Sequence, residues 1–175
     1  MMSIVSFFWL SVFLFAMVGW MRGWAKELLV SFSAILALAL IFILRKYIPF
    51  VRDMPPDDVT LFWIETIIML VLVYFGYQTV SISRLTAKAT REKVQDALFG
   101  SILGGFNGYL IVGSILYWMY EANYPFPKFM TPPTDPAVVE TVTKMMTYMP
   151  PVVLGEPGIY FAIILAFIFV LVVYI

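Results

Sequence analysis

The sequence predicts an all-α, polytopic membrane protein with five transmembrane helices, arranged as two helical hairpins followed by a C-terminal helix. Three observations lead there. The 175-residue chain is 62% hydrophobic and 13% charged, whereas a soluble domain is nearer 45–50% apolar and about 25% charged. Its mean hydropathy is +0.94, which is more apolar surface than a soluble fold of this length can hide. Finally, five stretches reach the roughly 17–25 apolar residues that cross a bilayer core.

The first span covers residues 4–21, broken only by Ser6, Ser11 and glycine. No Lys or Arg precedes it, no small-residue cleavage site follows it, and Trp20 and Trp24 stand at its end. It therefore reads as a retained anchor rather than a signal peptide. The second span is residues 28–44. So short a connection makes the first two helices antiparallel neighbours, with Gly23 able to take the left-handed conformation that leaves a helix. Arg22, Gly23, Trp24, Lys26 and Glu27 read as an interface anchor and turn, with Arg22 in reach of head groups, of Glu27 or of the helix-one carbonyls.

The third span, residues 61–80, carries Glu65 and Gln78. Asp57 and Asp58 before it read as helix caps, since a calcium site needs more oxygen ligands at close spacing. Residues 81–97 contain neither Pro nor Gly. Ile82, Leu85 and Ala89 form a weak apolar stripe there among bases. A surface helix on anionic head groups and a solvated extension of the next span are equal readings. The fourth span, residues 98–120, completes a four-helix membrane domain over residues 1–120.

Residues 121–158 form a proline-punctuated outer loop. Asp135-Pro136 reads as a cap followed by a first-turn proline, and Val138, Val142, Met145 and Met149 recur at helical spacing. This predicts a short amphipathic helix over about residues 136–149, packed on its own protein in preference to the membrane face or a partner. Residues 159–175 form the fifth span, apolar to the last residue, which leaves open a continuation beyond Ile175.

Basic residues orient membrane proteins. Arg22, Lys26, Arg84, Lys88, Arg91 and Lys93 lie on one side, and Arg45, Lys46, Arg52, Lys128 and Lys144 on the other. The numbers are close, but residues 81–97 concentrate four bases. The expected topology puts the amino terminus outside and the carboxy terminus inside.

Composition narrows the chemistry. Zero net charge without a long basic run argues against nucleic acid as a partner. Cys and His are absent, which removes disulfides, iron–sulfur clusters, the commonest general base and the usual haem and zinc ligands. No nucleophile–base pair or metal set can be assembled, so no catalytic residue, metal ligand or cofactor is expected. Trp9, Trp63, Trp118 and many Tyr and Phe fit interface belts. Pigment or quinone contact is compatible with them, but ring count does not argue for it.

The most distinctive stretch is Asp96-Ala-Leu-Phe-Gly100-Ser-Ile-Leu-Gly104-Gly-Phe-Asn107-Gly108. Residues four apart share a helical face, so Gly100, Gly104 and Gly108 make a groove where another helix backbone can approach. Asn107 sits mid-groove, where an amide can bond across to a neighbour. A faint repeat relates Gly19-Trp-Met-Arg22-Gly23-Trp24 to Gly104-Gly-Phe-Asn107-Gly108-Tyr109. Glu65 lies about one turn inside the third span, and an ionisable group in a membrane is a functional candidate. The other spans offer it no acid, Lys or His as a relay, so it reads chiefly as reaching head groups or a nearby Lys.

Met21-Arg22-Gly23 with Lys26-Glu27-Leu28 after a first apolar helix, together with Asp96, Leu98, Gly100, Gly104, Asn107 and Gly108 opening a fourth, resembles the colicin V production protein family over about residues 1–120. The resemblance implies a bacterial inner-membrane protein of about four spans, linked to envelope maintenance or colicin export, without a catalytic site. The family usually has Arg before the last motif glycine, where this chain has Asn107. That change favours a helix-docking surface over a charged site. The chain also adds the proline-rich loop and fifth helix.

Two functions follow as expectations. The first is a non-catalytic accessory subunit that packs by its glycine groove against other membrane subunits or copies of itself, with an energy-converting complex as a natural partner. The second is a channel, transporter or export-associated component, using Glu65, Gln78 and Asn107.

Overall fold

The structure is a computed structural model that describes residues 3–78, 93–126 and 130–174. The described residues are helical, with no strand among them. In chain order they form α1 (Ile4–Arg22), α2 (Trp24–Tyr47), α3 (Pro49–Arg52), α4 (Val59–Tyr77), α5 (Lys93–Glu121), α6 (Pro136–Met146), α7 (Pro150–Val153) and α8 (Gly158–Tyr174). Four of them, α1, α2, α4 and α5, are long and apolar enough to cross a membrane. The 17-residue α8 rises about 25 Å at 1.5 Å per residue, slightly less than a typical hydrocarbon core.

Boundaries shift where local chemistry decides them. The turn between the first two helices is Gly23 alone, so α2 starts at Trp24 and takes Lys26 and Glu27 into its first turn. The expected helix over 136–149 stops at Met146, and α7 starts anew at Pro150. A proline disfavours helical backbone in the residue before it, and Met149 is indeed extended, with ψ 152°. Asp135 caps α6, its carboxylate accepting from the Ala137 N–H at 2.9 Å. Asp58 caps α4 in the same way, accepting from the Thr60 N–H at 2.6 Å.

That bond holds the Asp58 carboxyl below its ordinary pKa. A depressed folded-state value means stability present above the unfolded pKa and lost as pH falls through the acidic range. Asp58→Ala is expected to lower the unfolding temperature and flatten its acid-side pH dependence. Asp58→Asn keeps a capping acceptor, so it should lose the pH dependence but little stability at neutral pH. Thermal unfolding in micelles between pH 3 and 7 checks both.

Packing runs across the two hairpins more than within them. The most extensive contact is α1 on α5, followed by α2 on α4 and α2 on α5, while α1 touches α2 lightly. The dry centre is made by Val30, Ala34, Ala37, Met69 and Leu110, all 0% exposed. In α6, Val142 and Met146 are buried against this bundle while Val138 and Val139 stay exposed, so the amphipathic face covers the chain itself. Outward from the bundle, α1 presents Trp9, Phe13, Met17 and Trp20, and α8 presents Phe161, Leu165 and Phe167, a surface suited to lipid. The stripe of Ile82, Leu85 and Ala89, with Arg84, Lys88 and Arg91, lies outside the described residues, as does Lys128.

Candidate functional site

Two polar clusters sit inside this apolar bundle. The first forms where the α1–α2 turn meets α5. Gly23 has φ 83° and donates its N–H to the Gly19 carbonyl at 3.0 Å, ending α1. Lacking a side chain, it cannot cap α2. Asp96 of α5 does so instead, its Oδ1 accepting from the Trp24 N–H at 3.1 Å, where a carboxylate also meets the positive end of the helix dipole. A Cβ on Gly23 would lie 2.5 Å from Asp96 Oδ2. The φ demands glycine, and a side chain there would also push the Asp96 carboxylate out of its capping position.

Further along α5, the glycine ladder faces α1. A Cβ on Gly104 would overlap the Phe15 carbonyl oxygen and stand 2.9 Å from Gly19 Cα. One on Gly100 would stand 3.0 Å from Gly23 Cα, and one on Gly108 would stand 2.8 Å from Phe15 Cβ. The groove therefore holds the chain's own first helix. This corrects the expectation of a partner in the groove: backbone-to-backbone contact with α1 leaves no space for another helix.

Asn107 turns from the groove toward α2. Its Nδ2 donates to the Glu27 carbonyl oxygen at 2.9 Å and to Glu27 Oε2 at 2.8 Å, and its Oδ1 accepts from the Ser31 hydroxyl at 2.6 Å. Arg22 Nε is 3.0 Å from Glu27 Oε1. No hydrogen bond is formed at that contact, so it is a charge pair. The Arg22 guanidinium also lies 4.3 Å from the centroid of the Tyr77 ring, which a cation favours. Glu27 is 0% exposed. Glu27 lies in the first turn of α2 and packs into the bundle beside Asn107 and Arg22, while neighbouring Lys26 stays exposed. The repeat acquires a geometric sense as well. Gly19 meets Gly100 and Gly104, and the polar members of the two copies, Arg22 and Asn107, converge on one carboxylate.

The second cluster lies at the opposite end of α2. Arg45 binds Glu65 of α4 through Nε to Oε1 and through Nη2 to Oε2 at 2.9 Å. The same Nη2 reaches Glu121 Oε2 of α5 at 2.9 Å, and the Tyr117 hydroxyl donates to Glu121 Oε1 at 3.1 Å. Glu65 is 1% exposed. Its partner is thus a half-buried arginine, where reasoning from span composition expected head groups or a lysine. Lys46 extends the links to Glu156, ahead of α8, at 2.7 Å.

Along α2, buried Ala34, Ala37, Leu38 and Ile41 separate the clusters, and α4 contributes Met69 and Val73. Chemically each cluster fastens helices: the first joins α1, α2 and α5, the second α2, α4 and α5. Among the described residues no group of three or more His, Cys, Asp or Glu is placed to hold a metal ion. Sequence reasoning singled out Glu27, Glu65 and Asn107 but missed Ser31, Arg45 and Glu121 around them, Tyr77 beneath Arg22 and Asp96 as the cap on Trp24. Asp96 had a signal, since it opens the glycine motif. Arg45 and Glu121 looked like ordinary span-end residues.

A family model described as "Colicin V production protein" matches residues 6–135. No curated protein and no solved structure matches the chain.

Proposed function

The chain belongs to the colicin V production protein family, a multi-pass protein of the bacterial inner membrane, and on that premise we propose that it is a non-catalytic helical subunit that serves a larger membrane assembly. One observation carries the reading. The buried charges, Glu27 with Arg22 and Glu65 with Arg45 and Glu121, each tie the chain's own helices together. That arrangement supports a rigid scaffold whose outward faces on α1 and α8 remain for lipid and neighbouring subunits. In the proposed topology the amino terminus lies outside and the carboxy terminus inside, a reading supported by the four bases concentrated over residues 81–97. Extraction in mild detergent is expected to copurify the chain with a larger complex, read by mass spectrometry of the intact particle. A monodisperse monomer retaining full function would sink the proposal.

A second reading, an export-associated channel or transport component, has one observation in its favour: a buried carboxylate stands toward each end of the bundle, Glu27 and Glu65. Ionisable groups in that setting commonly mark ion or substrate paths. Liposome flux that Glu65→Gln abolishes would favour transport over the scaffold, and no flux from reconstituted protein would remove it.

A further inference from the structure

Glu27 and Glu65 are both buried carboxylates paired with an arginine, but the two pairs are built differently. Arg45 holds Glu65 by two hydrogen bonds. Arg22 holds Glu27 by none. Its Nε stands 3.0 Å from Glu27 Oε1, yet both atoms are buried and neither has a hydrogen-bond partner. The other carboxylate oxygen, Oε2, is taken by the Asn107 amide at 2.8 Å. A fully buried carboxylate therefore keeps one oxygen unbonded, and charge alone holds the guanidinium against it.

That oxygen is placed to accept a proton. Among the described residues, the ionisable groups around it are Arg22 of α1, Tyr77 of α4 and, in the first turn of α5, Asp96. Asp96 Oδ1 is held by the Trp24 N–H, and Lys26, next to Glu27 in the chain, is exposed. Arg22 is thus the cation set against Glu27. A carboxyl protonated at Oε1 is neutral and becomes a donor there. Its Oε2 still accepts from Asn107, so Glu27 stays seated. Arg22 does not, because its N–H would face an O–H and a buried guanidinium without a counter-charge is costly. Its side chain is already 25% exposed, which gives it a way out to solvent. In leaving, it comes off the ring of Tyr77, 4.3 Å away, at the last residue of α4. Apart from this stacking, α1 and α4 meet little.

We propose that Arg22 and Glu27 form a proton-released clasp between the α1–α2 turn and the end of α4. With Glu27 ionised the clasp is shut. A proton taken from water beside the exposed flank of Arg22 binds Oε1, frees Arg22 and uncouples the two helix ends. It returns to water when Glu27 ionises again, and Arg22 closes back onto Tyr77.

The test uses the full chain in neutral maltoside micelles. The chain has no Cys, so Met21→Cys and Gln78→Cys, both at exposed positions, can carry spin labels at the ends of α1 and α4. Double electron resonance reads the distance between the labels. Infrared difference spectra of the unlabelled chain read the carbonyl stretch of a protonated carboxyl. Both run between about pH 8 and about pH 5.5, where exposed carboxylates stay largely ionised. As pH falls, the protonated-carboxyl band is expected to grow and the distances to shift to longer values. Glu27→Gln, neutral and of the same size, should lose that band and show the longer distances at every pH. Arg22→Gln should show the longer distances throughout as well. The wild-type distance is read without touching the clasp, so a distance independent of pH overturns the proposal whether or not these variants fold. So does a band that Glu27→Gln leaves undiminished, or a pH-dependent distance that survives Glu27→Gln.

Discussion

Gly104→Ala is expected to destabilise the protein by about 1–3 kcal/mol, the usual cost of forcing atoms into a filled interior, although Ala is a better helix former than Gly by about 1 kcal/mol. The added methyl would overlap the Phe15 carbonyl oxygen and press on Gly19 Cα. Both obstacles are backbone, so relief requires α1 to move away from α5 along their main contact. Gly105→Ala is the control one residue on. Its methyl would meet Ala16 Cβ at 3.6 Å and Val12 Cγ1 at 3.9 Å, ordinary contact distances, so it should be neutral or slightly stabilising. Gly104→Leu should prevent α1 from docking. Reversible unfolding in mixed micelles separates the variants. Equal stability of Gly104→Ala and Gly105→Ala would refute the packing argument. The effect should also appear in the isolated chain, because the groove is filled from within.

Arg45→Met carries the second large effect, about 3–5 kcal/mol, the typical cost of stranding a buried charge by deleting its partner. Met keeps much of the arginine stem's volume, so the loss is chiefly electrostatic. Glu65 would remain at 1% exposure without its guanidinium, and among the described residues Glu121 would keep the Tyr117 hydroxyl alone. The double variant Arg45→Met, Glu65→Leu should recover part of the loss, since replacing a whole buried pair with apolar groups is often neutral. A double-mutant cycle measures this coupling. Strictly additive effects of the two substitutions would mean that the pair does not act as a unit.

The membrane class was legible because it depends on composition. A bilayer demands long apolar runs wherever the chain folds, and residues 4–21 or 61–80 announce themselves without any knowledge of their neighbours. Caps were legible for a similar reason: Asp58 and Asp135 act within three residues of themselves. The glycine spacing revealed a close approach between helices, yet its partner could not be read, because a groove has the same spacing whichever backbone fills it.

The partners of the buried charges were hidden for a different physical reason. Arg45 and Glu121 are 76 positions apart, as are Ser31 and Asn107, and such pairs exist only after α2 and α5 lie side by side. Glu27 shows the point at its smallest scale. It follows a one-glycine turn at φ 83° and is 0% exposed, a burial that residue type does not reveal.

Local apolar length, capping residues and small-residue spacing thus determined that this is a helical membrane protein with a tight helix contact, because each acts over a few neighbouring residues. Tertiary packing alone decided that α1 fills the groove and that Arg22 and Asn107 share Glu27. It also decided that Arg45 joins Glu65 to Glu121. Those contacts arise between helices, and in a low-dielectric interior a buried charge is stable only where the fold delivers its counterpart.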